Sequence, residues 1–312
     1  MAPEDRACPG GERRPGKIVT MSNMTPDVIA ITALEFIPAF AFALAAEPVA
    51  RAIGRWPAGV RIAAPALLAI PYAVLSGLHH MFRWEWFVLY CTLPMAMAWL
   101  LGQAAAADPE QRGNWRDALI LLTLGLAVDL RWLDGAWPAG FRGLGNLLLV
   151  DAGLYGFLGI RRLSGTGFDF HFRWSDWKTG LRELVFFAPV VIALGLALGF
   201  IHPHKNLPPI GRVLISWVGI FVFVAVIEEL FFRAWVQNLL ERRVGQRAAL
   251  VIASVLFGLS HFNKRSATFN WRYVLLATVA GIFYGRAWRE QRRVPASAIT
   301  HTCVDWLWYL WF

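Results

Sequence analysis

Cysteine is scarce: Cys8, Cys91 and Cys303 are far apart, and no CxxC pair exists. An odd, sparse set argues against a disulfide framework and against a thiolate zinc site. Charge is equally thin. Only 16% of the 312 residues are charged, against about 25% in soluble domains, so the chain is short of polar surface to cover a water-soluble globule. No HExxH run is present, which speaks against a zincin arrangement. No GxSxG surrounds any serine, and Ser260, adjacent to His261, is expected to point away from it on a helix. Acidic residues number 21 against 30 basic ones, a formal charge of +9. The basic residues sit between apolar runs rather than in one stripe, so no nucleic-acid partner is expected.

What is abundant is apolar. Hydrophobic residues make up 57% of the chain and the mean hydropathy is +0.47. The runs Trp86–Ala107 and Leu184–Ile201 carry no charge, and about 20 apolar residues suffice to cross a bilayer as a helix. Sixteen Trp residues suit the interfacial belts of a membrane protein. The fold class is therefore all-α, a polytopic transmembrane helix bundle of about eight to ten spans. Candidate spans fall near 28–46, 62–79, 85–106, 117–130, 143–160, 183–201, 210–234, 247–262, 272–288 and 295–312, the fourth short and the fifth interrupted by Asp151.

Residues 1–24, rich in Pro, Gly and basic side chains, are read as a disordered basic tail rather than a cleaved signal peptide. Residues 25–205 form the N-terminal transmembrane helices. Within them, 161–182 mixes Arg161, Arg162, Arg173, Lys178 and Arg182 with Phe and Trp, the pattern of an amphipathic segment on a membrane surface. That loop, the loop with Arg242, Arg243 and Arg247, and the loop with Arg286, Arg289, Arg292 and Arg293 are the richest in basic residues. They are read as topology determinants facing anionic headgroups in the cytoplasm. Ten spans then put the N-terminus outside, against the four basic residues of the tail.

Ionisable groups inside a span are expensive, about 2.5–3.5 kcal/mol each at the centre, and the last four spans concentrate them. Glu228 and Glu229 follow an uncharged run from Val213. Adjacent helical side chains diverge by about 100°, so the two cannot do the same job. Glu229 and Arg233 are i,i+4 and share a face, which suits a structural brace. Glu228 has no sequence-local partner, which suits a general acid or base. His261 follows a clean apolar run, with Phe257 one turn earlier on the same face. His301 and Asp305 are again i,i+4, and a carboxylate on one ring nitrogen orients the other.

These motifs, Glu-Glu-x-x-x-Arg, Phe-x-x-x-His and His-x-x-x-Asp in that order, resemble the CPBP family of intramembrane proteases, which includes the endoproteases of prenylated CAAX proteins. The resemblance covers about 210–312 and makes 206–312 a CPBP-like catalytic core of four transmembrane helices. It implies an intramembrane endopeptidase in which Glu228 and His261 polarise a water and His301 donates to the oxyanion. Asp305 either is protonated or orients His301, and Glu229, Arg233 and Phe257 support the site. It further implies a peptide or membrane-anchored, in some cases prenylated, protein substrate amid membrane lipid. The location expected is a bacterial inner membrane. No cofactor is favoured. Zinc is the alternative, held by Glu228, His261 and His301. A transporter relaying protons through the same groups, or a non-catalytic immunity protein, are the readings from other classes.

Overall fold

The computed structural model describes residues 25–137, 141, 143–204, 207–264, 266 and 268–312. The expected tail over 1–24 lies outside these residues. Among the described residues there is no strand, and ten helices follow one another. They are α1 Pro26–Gly54, α2 Ala58–Leu78, α3 Trp84–Ala107, α4 Trp115–Asp129, α5 Gly143–Ile160, α6 Trp174–Ala197, α7 Ile210–Val244, α8 Gln246–Leu259, α9 Trp271–Gln291 and α10 Val294–Trp311. Six of them (α1, α2, α3, α5, α6 and α7) are long and apolar enough to cross a bilayer, so the chain is built as an integral membrane protein. Helices α4 and α8 are shorter. Helices α9 and α10 are diluted by polar residues, among them Arg286, Arg289 and Glu290 in the one, His301 and Asp305 in the other.

Local signals set the helix ends. Asn114 caps α4 through the backbone N–H groups of Arg116 and Asp117, while Asp117 accepts from the Asn114 N–H in return. Gly245, at φ +80°, breaks α7 from α8. Pro295 opens α10, where its missing N–H costs nothing. Asp151 does not interrupt α5: the helix runs through it, and its side chain is buried.

The connections after α3, α5, α7 and α9 meet on one face. Arg161 donates to Asp117 at 3.0 Å and to Asp108 at 2.6 Å. Arg242 donates to the Gln111 carbonyl at 3.2 Å. Trp288 Nε1 donates to the Thr166 carbonyl at 3.0 Å, and the Val294 N–H to that of Gly167 at 2.8 Å. Gly167, at φ +68°, is required there, since a Cβ would stand 1.9 Å from the Arg292 carbonyl oxygen. At the opposite face His79 Nε2 lies 2.8 Å from Asp27, bringing the end of α2 to the start of α1.

Two of the residues expected to face headgroups do not. Arg161 and Arg293 are buried. The Arg293 guanidinium is clasped by Asp176, at 3.0 Å, and by Asp169, since a buried guanidinium needs carboxylate partners. The amphipathic 161–182 segment also divides. Residues 161–173 are non-helical, and α6 already begins at Trp174. Its first polar turns are accommodated because Asp176 and Glu183 are paired inside the protein, Glu183 with Arg182 and Arg286.

Packing separates into two apolar clusters. The larger joins α1–α5 to Leu230, Ala234, Trp235 and Leu239 of α7. The smaller gathers Phe187, Phe232, Phe257, Ala277, Ala280 and Tyr284. Helix α7 is the wall they share, and the polar groups of its midpoint face the second cluster.

Candidate active site

The α7 backbone is irregular where its glutamates sit. The four-residue α stretch Val226–Glu229 lies between two π-helical stretches, Phe221–Ala225 and Leu230–Gln237. Such widened turns recur at functional sites because they re-aim side chains without ending the helix. The two glutamates diverge as their spacing predicts. Glu229 is fully buried, and Arg233 Nε donates to its Oε2 at 2.9 Å. The contact uses Nε alone. The two terminal guanidinium nitrogens have no hydrogen-bond partner, and the group lies 5.3 Å from the Phe257 ring centroid, a cation–π distance.

His301, on α10, is buried and joins both glutamates. Its Nδ1–H donates to Glu229 Oε1 at 3.0 Å. Its Nε2 faces Asp305 Oδ2 at 3.5 Å and Glu228 Oε2 at 3.9 Å. Glu229 thus reaches the imidazole at Nδ1 from another helix, and Asp305, expected to orient the ring, lies beside Nε2. The ring also stacks on Tyr284, centroids 4.5 Å apart at 15°, and meets the edge of Phe257 at 5.6 Å.

His261 lies in the turn just past α8, buried against Phe257, with ring centroids 4.9 Å apart. Its Nδ1 is 2.8 Å from the Phe257 carbonyl. A carbonyl only accepts, so Nδ1 carries the hydrogen and Nε2 is left with the lone pair. Ser260 is nearer than expected, Oγ 3.2 Å from the same Nδ1. Its hydroxyl donates to the Phe257 carbonyl at 2.8 Å, so the nitrogen facing it is a donor and offers no base.

Glu228 turns the other way from Glu229. Its Oε1 lies 3.6 Å from Lys264 Nζ, while its Oε2 is buried with no hydrogen-bond partner. A cavity of about 100 Å³ opens beside the imidazoles. His261, His301 and Asp305 are its polar lining, and α6, α9 and α10 supply apolar walls, among them Phe187, Val191, Ala277 and Trp308. Glu228 is not part of that lining and reaches the site through His301 Nε2.

Two participants were not legible in the sequence. Lys264 reads there as a loop cation. Tyr284 is one aromatic among many, marked only by the flanking Gly281 and Gly285. A Cβ on Gly281 would stand 3.0 Å from Ser254 Cα, and one on Gly285 2.4 Å from Leu250 Cδ1, so these glycines draw α9 tight against α8. Among the described residues no three His, Cys, Asp or Glu side chains gather as a metal-binding group. His301 Nδ1 and His261 Nδ1 are already committed as donors, so of each ring only Nε2 remains for a further partner.

No curated protein and no solved structure matches the chain. Residues 209–307 match the family model described as Rce1-like, type II CAAX prenyl endopeptidase Rce1-like. That segment, about a third of the chain, spans every motif residue from Glu228 to Asp305, and its similarity to the Rce1-like model is consistent with a CPBP family protease.

Proposed function

We propose that the chain is an intramembrane endopeptidase that cuts membrane-anchored proteins, prenylated ones included, by metal-free glutamate chemistry. The Rce1-like domain supports endopeptidase activity at the family level. The observation that carries the residue roles is the meeting of two carboxylates on one imidazole, Glu228 Oε2 from α7 at 3.9 Å and Asp305 from α10 itself at 3.5 Å from His301 Nε2, with His261 in the same cavity wall.

Glu228 Oε2 takes one proton from a water, and the His261 Nε2 lone pair orients that water by accepting a hydrogen bond from its other O–H. Attack on the scissile carbonyl gives a tetrahedral oxyanion, which needs a fixed donor. His301 supplies it as the doubly protonated ring, through Nε2–H while Nδ1–H stays on Glu229, and the ring is held by Glu229, Arg233 and the Tyr284 face. The apolar walls keep bulk water away, which strengthens each of these interactions. Protonated Glu228 then returns its proton to the leaving amine, so the cycle closes without a net charge change.

The test is cleavage by the purified protein in proteoliposomes, with fluorogenic membrane-tethered peptides presented with and without a prenyl group. Wild type cleaves at least one. Glu228→Gln and His261→Ala each lose about 10²–10⁴-fold in kcat while unfolding at the wild-type temperature. Normal cleavage by both variants would overturn the residue roles, and a wild type that cleaves nothing would overturn the activity.

A further inference from the structure

Glu228 has two chemically equal oxygens in two unlike places. Oε2 points at His301 and is unpartnered, and Oε1 points at Lys264. Lys264 is the only Lys or Arg paired with Glu228 among the described residues. It belongs to no motif in the sequence. Its side chain is 39% exposed and that of Glu228 24%, so the pair sits at the rim of the site.

The turn that carries Lys264 is built rather than loose. The Lys264 N–H donates to the His261 carbonyl at 3.2 Å, so the lysine and the histidine share one turn. Asn270, which caps α9 through the Tyr273 N–H, donates from Nδ2 to the Lys264 carbonyl at 3.0 Å. Its own N–H donates to the Phe262 carbonyl at 2.8 Å. Asn263 Nδ2 donates to the Asp129 carbonyl at 3.2 Å, tying the turn to the end of α4. Four separate bonds thus place one ammonium beside one carboxylate.

The charges around Glu228 explain why a cation is needed there. Asp129 faces it from α4, Glu229 is its neighbour on α7, and Asp305 shares His301 with it from α10. Arg233 answers Glu229 only. Without Lys264, Glu228 would face three other carboxylates, Asp129, Glu229 and Asp305, with no Lys or Arg of its own, and like charges repel at these distances.

We propose that Lys264 is a positioning residue for Glu228: it anchors Oε1 and so presents Oε2, the unpartnered oxygen, to the water that attacks the substrate. This rests on the endopeptidase reading above. It adds a fourth element to the site, the turn after α8, and through Asn263 it makes α4, outside the matched segment, a support of the reaction.

The experiment uses full-length protein in proteoliposomes and whichever tethered peptide wild type cleaves. Lys264→Met and Lys264→Gln keep most of the length and remove the charge, and Lys264→Arg keeps the charge. The expected result is a fall of about 10²-fold in kcat for Met and Gln, with KM within about twofold, the pattern of an interaction used only in the transition state. Lys264→Arg recovers most of the loss, and added ethylammonium restores part of it to Lys264→Ala. Unfolding followed by tryptophan fluorescence stays at the wild-type temperature. Wild-type kcat in both neutral variants, or an arginine variant as slow as methionine, overturns the assignment while Glu228→Gln remains inactive and the endopeptidase reading stands. A wild type that cleaves nothing removes that reading, and this one with it.

Discussion

Glu229 accepts from His301 Nδ1 at 3.0 Å through one oxygen and from Arg233 Nε at 2.9 Å through the other. One buried carboxylate thus fixes an arginine on its own helix and an imidazole on α10, and it decides which ring nitrogen of His301 is left to face the reaction.

Removing one member of that chain strands the others. Arg233→Met leaves Glu229 buried without its cation, and breaking a buried ion pair in this way costs about 3–5 kcal/mol. Its thermal unfolding in detergent should shift down sharply. The double variant Glu229→Leu with Arg233→Met should regain much of that stability while staying inactive. A double variant less stable than Arg233→Met alone would count against the brace.

Asp305 shows the opposite sensitivity. Because Glu229 holds the His301 ring through Nδ1, Asp305→Asn should leave kcat within about tenfold of wild type, well short of the ~10²–10⁴ lost with a general acid or base. An asparagine can also donate to an oxyanion. A collapse of kcat in this variant would restore Asp305 as the residue that orients His301.

The chelator experiment tests the metal-free mechanism directly. Activity should persist in excess EDTA after dialysis. Loss that zinc restores would show the donor set closing around a metal.

The clasp on the loop face carries its own pH signature. Asp169 lies outside the spans. Burial opposes its ionisation, but the His171 N–H and side chain and the Arg293 guanidinium outweigh it, and its carboxyl is held down at about 2 from an ordinary 3.8. A carboxylate depressed in the folded state stabilises the protein above its unfolded value and loses that contribution as pH falls through the folded one. The unfolding temperature of wild type should therefore drop between about pH 4 and pH 2 more than that of Asp169→Asn. Parallel curves would show that the clasp adds nothing.

Gly167→Ala would put a Cβ into the Arg292 carbonyl and add a left-handed backbone penalty of about 1–2 kcal/mol. It should lower the unfolding temperature more than Gly59→Ala, where a Cβ meets nothing.

The helices were legible because a bilayer offers the backbone no hydrogen-bonding partner, so each apolar run has to close its own bonds as a helix. The start of α6 was not, since Asp176, Arg182 and Glu183 read as solvated charges until their partners on α9 and Arg293 are known. The i,i+4 pairs Glu229–Arg233 and His301–Asp305 follow from spacing alone. The link from Glu229 to His301 does not, because it joins separate helices. Neither does Lys264: its importance comes from a turn folded back on α4 and α9, and no periodicity marks it.

One wall of the reaction cavity belongs to α6, through Leu184, Phe187, Ala188, Val191 and Ile192, none of which falls in residues 209–307. Grafting that segment alone onto a foreign scaffold would transplant the reacting groups and leave behind the partition that shelters them from lipid. Helix α6 is therefore part of the proposed reaction vessel, and variation along it is a means of reshaping what enters while the proposed chemistry stays untouched.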